Sequence, residues 1–578
     1  MNKILCTALL LVAVNLLGQR TPSEAELYDP YEPEYFAGKD PAWLQDIQKN
    51  PRGVNFYEME KKFQDWLKAD PDAKKKTVDK KPAVNFYRRW RKAYAPFVDV
   101  KGNIVLPTKK EYLAKIDRQN QVNATKASSR RSRRSTPSAA STNVWQNIGP
   151  DRTARANDGG QAYMPSYDSH ANVFRIDVSK NNPQILYSGA ETGVVFKTTD
   201  GGLNWKACDP VFNFGKEISA IKINPKNENE VWVGSDVGLF VTKNGGQSFQ
   251  RIQGINTRVN SIRVNDNITT VAGKDGFYVY NGSGVRKTFP DECLDHELKP
   301  KSSNVIYLLA KNKEDYTYDL YISRDNGNSF KEVHRILPSV RSGRLAVTDA
   351  SGGEDYVYAL VNVFDPSAYH GAPHIVQSKD GGVSWQDKTT RTSNLNEWKN
   401  TFCPSIDARN GGQGYYDMMI GVSGTNPEHV IFGLCSAYRS TEGGAGGYYA
   451  NSIGGYCNGN MQMHPDMQDI AIAGDKVWIA NDGGVKYSPD FFTDKSRVEN
   501  RVNGIYAADF WGFGQGWNED VMAGGRWHNG DAVMINNKSY GDGRISMYVG
   551  GVEQATGYVM LSNPKKSIFY RFWNVYFV

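Results

Sequence analysis

An eight-residue segment recurs along this chain, and its repetition limits the fold more than any other feature of the sequence. The copies are TTDGGLNW (198–205), TKNGGQSF (242–249), SRDNGNSF (323–330) and SKDGGVSW (378–385). Each copy has a hydroxyl residue, then an Asp or Asn two places later, a Gly four places later and an aromatic residue seven places later. Such repetition is typical of solenoids and propellers, in which neighbouring units bury a shared core.

The chemistry of one copy predicts a tight turn. An Asp or Asn side chain accepts hydrogen bonds from the backbone N–H groups that follow it, and Gly allows positive φ angles. The closing Trp or Phe returns the chain to an apolar layer. We therefore expect a structural role, rather than a catalytic or metal-binding one, for the third residue of each copy: Asp200, Asn244, Asp325 and Asp380.

The residues before each copy repeat as well. Alternating apolar strands precede the copies, as in the segments that start at Phe174 and Ser219, and this alternation is a strand signal. Units with a decayed copy start at Asn260, Met418 and Met467, and Glu442 takes the Asp position in the second of these. Seven units at a spacing of about 40–55 residues predict an all-β fold, a seven-bladed β-propeller over 143–500.

The repeated segment resembles the Asp-box, or BNR repeat, of sialidases, sortilin-type receptors and xyloglucanase-type glycosidases. This resemblance implies that the segment is a turn at the rim of a propeller blade, away from any active site. Xyloglucanase-type enzymes carry a catalytic Asp in a segment like RTDxGG in the first blade. The corresponding segment here is GAETGV, in which Glu191 takes that position. No arginine triad of the sialidase type is identifiable.

The two ends of the chain differ from the repeats. Residues 501–578 are strand-like and rich in Gly and aromatic residues, and they either close the propeller or begin a second one. Because the chain stops at Val578 directly after an apolar run, we expect a truncated product. At the other end, residues 1–19 predict a secretory signal peptide, and residues 20–125 predict amphipathic helices. Their aromatic stripes are Phe56, Met59, Phe63 and Trp66, then Phe86, Trp90 and Tyr94.

The net charge of +7 comes from one segment. Residues 101–142 hold ten Lys and Arg against two Asp and Glu, which gives +8 for this segment alone. Residues 126–142 are rich in Ser and Ala and contain no aromatic residue. Nucleic-acid binding by a folded face would need stacking aromatics among the basic residues. We therefore predict a solvated linker and no nucleic-acid partner.

The order of segments in this chain resembles that of large bacterial surface proteins of the type IX secretion route. The order is a signal peptide, NFYE-type helices, a basic linker, WQNIGP at 145–150 and a propeller. Together with the signal peptide, the resemblance implies a secreted or cell-surface protein. No other apolar run in the sequence is long enough to predict a membrane span. Five cysteines follow the signal peptide, and they are Cys208, Cys293, Cys403, Cys435 and Cys457. An odd number leaves at least one free thiol. One bridge among the last three and a set of buried thiols are equally compatible with the spacing.

The richest polar segment is MHPDMQDIAIAGDKVWIANDGG, from Met463. Its candidates for binding are His464, Asp466 and Asp469, and the candidates for catalysis are Glu191, Asp466 and Asp482. Innermost strands line a propeller's channel, so these groups could converge at its mouth. The opposing interpretation is a hydrogen-bonded turn at the start of a strand. No metal or cofactor motif is identified.

These observations predict an exported, non-catalytic propeller that binds a cell-surface protein or polysaccharide. The alternative hypothesis is a xyloglucanase-like glycoside hydrolase, whose retaining or inverting stereochemistry depends on the separation of two carboxyl groups. The sequence leaves the oligomeric state open.

Overall fold

The computed structural model describes residues 27–30, 41–69, 81–133, 152–155 and 170–577. Within the last range it leaves out 266–267, 314–316, 365–370, 390–401, 403–406, 408–412, 415, 447–450, 457–462, 517–520, 536–544, 551–555, 560–566 and 571–574. The predicted signal peptide, the WQNIGP segment, Cys403 and Cys457 therefore lie outside the described residues. The chain divides into two compact units, Met1–Thr125 and Lys126–Val578.

The first unit is helical, as the aromatic spacing predicts. Its helices are α1 (Ala42–Lys49), α2 (Phe56–Ala69), α3 (Lys81–Tyr94) and a short 3-10 helix (Ala95–Phe97). A further helix, α4 (Lys109–Arg133), continues through residues 126–133 of the predicted linker. The buried aromatic stripes form the core, in which Phe63 stacks on Tyr87 with ring centroids 3.9 Å apart. None of the described helices is both long and apolar enough to cross a membrane.

The second unit contains seven four-stranded antiparallel sheets, which confirms the predicted propeller. Their strands are β2–β5 (Val173–Val178, Leu186–Ala190, Val195–Thr198, Lys206–Ala207), β6–β9 (Ile218–Asn224, Asn227–Ser235, Gly238–Thr242, Gln250–Ile252), β10–β13 (Val259–Val264, Thr269–Gly273, Gly276–Tyr280, Val285–Phe289), β14–β17 (Cys293–Leu298, Ile306–Lys311, Tyr318–Ser323, Lys331–His334), β18–β21 (Val340–Val347, Val357–Val363, Ala372–Ser378, Gln386–Asp387), β22–β25 (Met419–Val422, Val430–Gly433, Ser436–Ser440, Ser452–Gly455) and β26–β29 (Met467–Ala473, Lys476–Asn481, Gly484–Ser488, Glu499–Asn500).

The first strand of each blade packs against the first strand of the next, and β26 of the seventh blade packs against β2 of the first. The ring is therefore closed by residues 170–500. Apolar side chains fill the space between neighbouring blades. The interface between the seventh and first blades, for example, buries Trp478, Phe196 and Trp205 in one cluster. Closure of this kind leaves only short, protected strand edges.

The strand register gives each blade two distinct ends. In the first blade Val173, at the start of β2, pairs with Ala190, whereas Leu186 pairs with Thr198 at the end of β4. We call the end that carries the starts of the innermost strands the upper face, and the opposite end the lower face. The recurring eight-residue segments follow the third strand of their blades, so they lie on the lower face.

These segments form the predicted turns. Thr198 Oγ1 donates to Asp200 Oδ1 over 2.7 Å and accepts a hydrogen bond from the Gly202 backbone N–H over 3.1 Å. The same two bonds recur in the copies that start at 242, 323 and 378. A further copy, which the sequence pattern missed, occurs at Ser488 and Asp490. Phe491 and Phe492 occupy its Gly positions, each with a φ of 57°.

Residues after 500 form two sheets outside the ring. Strands β30 (Phe510–Gln515), β31 (Val521–Arg526), β32 (Gly530–Ile535) and β33 (Ile545–Gly550) join β1 (Arg152–Arg155), which pairs with β33 in parallel. Strands β34 (Thr556–Val559), β35 (Ser567–Tyr570) and β36 (Val575–Phe577) form a three-stranded sheet. The turn between β31 and β32 supplies His528 and Asn529 to the site described next.

Candidate functional site

Five ionisable side chains converge on the upper face of the sixth and seventh blades. Asp417 precedes β22, Cys435 lies between β23 and β24, Asp466 precedes β26, and Asp482 follows β27. His528 comes from the turn between β31 and β32. We call this set the acidic cluster: Asp417, Cys435, Asp466, Asp482 and His528. Asp417 and Asp482 are 0% exposed, and Asp466 is 6% exposed.

Side-chain hydrogen bonds organise the acidic cluster. The Gln468 amide donates over 3.0 Å both to Asp417 Oδ1 and to Asp482 Oδ1, so it bridges two carboxyl groups. His528 Nδ1 lies 3.1 Å from Asp482 Oδ2. The Tyr416 hydroxyl donates to the same carboxylate over 3.2 Å, and its ring stacks against the His528 imidazole. Tyr416 and His528 together cover Asp482.

Burial dominates the electrostatics of these groups. Removal from water raises the pKa of Asp417 and of Asp482 well above the usual range, and the neighbouring carboxylates raise both further. The pKa of Asp466 is also raised by burial, although the nearby His528 opposes that shift. Burial and the adjacent Asp466 likewise raise the pKa of the Cys435 thiol. Like charges in a low-dielectric site cannot all ionise without compensation.

A line of hydrogen bonds joins Glu191 to the cluster. The Asn172 side-chain amide donates to Glu191 Oε2 over 2.7 Å, and Asn529 donates to Asn172 Oδ1 over 2.6 Å. Asn529 Nδ2 also donates to the backbone carbonyl oxygen of Asp482 over 2.8 Å. Glu191 is only partly buried. It therefore presents a carboxylate at the upper face that is joined through Asn172 and Asn529 to the backbone of Asp482.

The structure places the predicted residues differently with respect to the cluster, although His464 lies close enough to Asp466 to oppose the rise that burial causes in the pKa of that carboxyl group. Asp466 and Asp482 lie in the cluster, and Glu191 is connected to it. His464 is partly exposed, and its Nδ1 lies 3.0 Å from the Pro465 carbonyl oxygen. Asp469 lies within β26 and accepts a hydrogen bond from the Ile176 backbone N–H over 3.0 Å. The binding roles predicted for His464 and Asp469 remain predictions.

Sequence patterns missed three members of the cluster. Asp417 and Cys435 belong to the sixth blade, more than one strand away in sequence from the polar segment at 463–484. His528 comes from outside the ring, within the segment RWHNGD. A His next to Asn-Gly in a turn was the one available signal, because such turns present side chains at strand ends. Cys208, Cys293 and Cys435 are free and buried, so these three are thiols.

Comparison with known proteins relates the propeller to xyloglucanases. The chain is 26% identical to a xyloglucanase of Paenibacillus sp over 249 residues, which covers 39% of this chain and 23% of that protein. No family model matches the chain. This chain therefore spans less than a quarter of the curated relative's length.

Solved structures share the fold. The GH74 xyloglucanase from Xanthomonas campestris superposes with a TM-score of 0.53 at 12% identity, over 70% of this chain and 64% of that one. An ancestral GH74 enzyme gives a TM-score of 0.50 at 13% identity, over 74% of this chain and 59% of that enzyme. These similarities show a β-propeller, and they cover less than two thirds of either enzyme.

Proposed function

We propose that this protein is a polysaccharide-directed propeller with glycoside hydrolase activity on a β-glucan. One observation carries the proposal: a partly exposed carboxylate, Glu191, is tied by hydrogen bonds through Asn172 and Asn529 to the segment that holds Asp482. Two carboxyl groups that act on opposite sides of a glycosidic bond are what such hydrolysis requires. The sequence similarity to a xyloglucanase supports the same substrate class.

In this proposal Glu191 is the carboxylate that a sugar meets first. Asp482 supplies the second carboxyl group, held in place by the Gln468 amide and the Tyr416 hydroxyl. Because Asp482 is fully buried, a sugar reaches it only when the turn that carries His528 moves. Loop movement of this kind is common in enzymes that exclude water from the reaction.

The burial of Asp482 also favours a second candidate function. A carboxyl group with 0% exposure is well suited to holding a turn and poorly placed to touch a sugar. Under this hypothesis the upper face binds a polysaccharide or a cell-surface protein without cleaving it. Both candidates place the protein outside the cell, consistent with the predicted signal peptide at 1–19 and, more specifically, with the proposed type IX route.

The experiment is hydrolysis by the purified full chain. Xyloglucan and other β-glucans are incubated with wild type, E191Q and D482N, and released reducing ends are measured. A matched control is E442Q, because Glu442 is an exposed carboxylate in a lower-face turn. Loss of a general acid or base lowers the rate by about 10²- to 10⁴-fold. We expect such losses for E191Q and D482N and none for E442Q.

The outcomes separate the two candidates. Turnover that survives both E191Q and D482N would show that hydrolysis uses other residues. No turnover by wild type, together with retarded migration in gels that contain the polysaccharide, would favour the non-catalytic function. If no tested β-glucan is cleaved or bound, both hydrolysis and polysaccharide binding are rejected, and a cell-surface protein is the remaining partner of the second candidate.

A further inference from the structure

Three members of the acidic cluster form a compact set of potential metal ligands at the junction of the sixth and seventh blades. Carboxylate oxygens of Asp417 and Asp466 and the Cys435 sulfur all lie within 4.8 Å of one another. Backbone hydrogen bonds fix their spacing, since the Asp466 N–H donates to the Cys435 carbonyl oxygen over 3.1 Å and the Met467 N–H donates to the Leu434 carbonyl oxygen over 2.8 Å. The spacing of Cys435 and Asp466 is therefore set by the main chain.

Asp466 supplies a second, independent observation. Its side chain is 6% exposed, and its Oδ1 atom has no hydrogen-bond partner among the described residues. An unsatisfied buried carboxylate oxygen is costly, because it has lost its bonds to water and gained none in return. The Cys435 thiol and the Asp417 carboxyl group lie within 4.8 Å of the Asp466 carboxylate. A cation between these groups would satisfy all three at once.

We propose that Asp417, Cys435 and Asp466 bind one divalent transition metal ion of the zinc class. Sulfur is the deciding donor: Ca²⁺ and Mg²⁺ take oxygen ligands, whereas Zn²⁺ binds thiolate and carboxylate together. Three protein ligands leave a fourth position open in the usual tetrahedral geometry. This inference differs from the absence of a metal expected from the sequence, and it does not depend on glycoside hydrolysis.

Side chains around the three ligands fit this assignment. The Gln413 amide donates to the Cys435 sulfur over 3.2 Å, which orients the Cys435 side chain. Gln468 donates to Asp417 Oδ1 and so orients that carboxyl group, whose Oδ2 lies 3.6 Å from the Cys435 sulfur. Partners of this kind hold ligands in place, and their loss typically weakens metal binding by about 10- to 100-fold.

A neighbouring set of groups fits less well. Asp466, Asp482 and His528 also lie within 4.8 Å of one another. In that set, however, Asp482 Oδ2 already pairs with His528 Nδ1, and its Oδ1 accepts from Gln468. Asp482 and His528 therefore satisfy each other without an ion. The ion is therefore assigned to the set that contains the thiol.

The test measures metal bound by the full chain. Wild type, C435S, D466N and H528A are purified, exposed to Zn²⁺, dialysed against metal-free buffer and analysed by mass spectrometry of the elements. The matched control is C293S, which alters another fully buried thiol. We expect about one zinc per chain in wild type, C293S and H528A. We expect C435S and D466N to bind zinc at least about 10-fold more weakly.

Cobalt gives a spectroscopic readout of sulfur ligation that the wild type shows by itself. Co²⁺ added to wild type should produce the near-ultraviolet thiolate-to-metal absorption band, and C435S should lack it. Wild type that binds neither ion overturns the proposal and leaves a cluster neutralised by protons alone. Metal retained by C435S, or lost only in H528A, overturns the assignment of ligands.

Discussion

Asp469 ties the seventh blade to the first, and its removal should weaken the closure of the ring. Its Oδ2 accepts from the Ile176 backbone N–H of β2 over 3.0 Å, and its Oδ1 accepts from its own neighbour, Ile470, over 2.9 Å. The same arrangement occurs between the fourth and fifth blades. There Asp295 in β14 accepts a hydrogen bond from the Leu345 backbone N–H of β18 over 3.0 Å. A recurring interblade bond indicates a structural function.

The expected loss of folding stability follows from these two hydrogen bonds. A hydrogen bond to a charged group contributes about 1.5–3 kcal/mol to stability. D469A removes both bonds and leaves the Ile176 N–H without its acceptor. Because Asp469 is only partly buried, solvent compensates part of the loss, and we expect destabilisation of about 2–4 kcal/mol. D469N keeps one oxygen acceptor in the same place and should cost about 1 kcal/mol.

The assay is urea denaturation of the full chain followed by tryptophan fluorescence, with thermal unfolding as a second measure. D349A is the control, because Asp349 forms an exposed ion pair with Lys180 in which its side chain is 63% exposed. Exposed pairs contribute about 0–1 kcal/mol. If D469A is as stable as D349A, the interblade bond does not hold the ring. If D469A keeps its stability and loses polysaccharide binding, the binding role predicted from the sequence is favoured instead.

Three further predictions concern other parts of the second unit. Burial and the neighbouring Arg263 hold the pKa of His296 well below its usual range, so the folded protein excludes a proton that the unfolded chain takes up below about pH 6.5. Stability should therefore fall by up to about 1.4 kcal/mol per pH unit below that pH, and thermal unfolding between pH 7 and 5 should show a shallower slope for H296Q. Hydrogen bonds from its own turn lower the pKa of Asp380 to about 2, so its contribution is present above about pH 4 and is lost as the pH falls toward 2. Thermal unfolding at pH 7 should show D380A about 1 kcal/mol less stable, since screening limits an exposed group, and D380N closer to wild type. Arg526, 1% exposed, donates to the Asn529 carbonyl oxygen over 2.9 Å. R526M should therefore lower the melting temperature and speed hydrogen–deuterium exchange at 527–529, whereas unchanged exchange would show that the arginine does not hold this turn.

Local patterns predicted most of the fold. Turn chemistry and strand alternation depend on residues close together in sequence, so seven blades could be counted from the chain alone. The sequence pattern missed the copy at Ser488 because Phe491 and Phe492 occupy the positions where the pattern requires Gly. Both residues adopt the left-handed backbone conformation that Gly usually supplies. Both rings are 2% exposed, so their burial in the blade offsets the local backbone cost.

The site was only partly predictable, because its members come from distant segments. Asp466 and Asp482 share one segment and were identified together. Cys435 joins the cluster because the sixth blade packs against the seventh, and His528 joins it from a sheet outside the ring. Neither of these long-range contacts can be inferred from the residues nearby in sequence. Ring closure decides which side chains of the blades share the upper face, and closure is a property of all seven blades.

The same residue type thus has opposite roles on the two faces, and the state of its hydrogen bonds explains why. On the lower face Asp380 accepts from the Ser384 backbone N–H over 2.9 Å, from the Ser384 hydroxyl over 2.5 Å and from the Ser378 hydroxyl over 2.8 Å, all within its own turn. A carboxylate satisfied in this way has little to gain from a ligand. On the upper face Asp466 is buried with one oxygen unpaired. Repetition therefore marks the aspartates that build the propeller, whereas an unpaired buried oxygen beside a thiol and a second carboxyl group distinguishes Asp466 as the aspartate suited to binding.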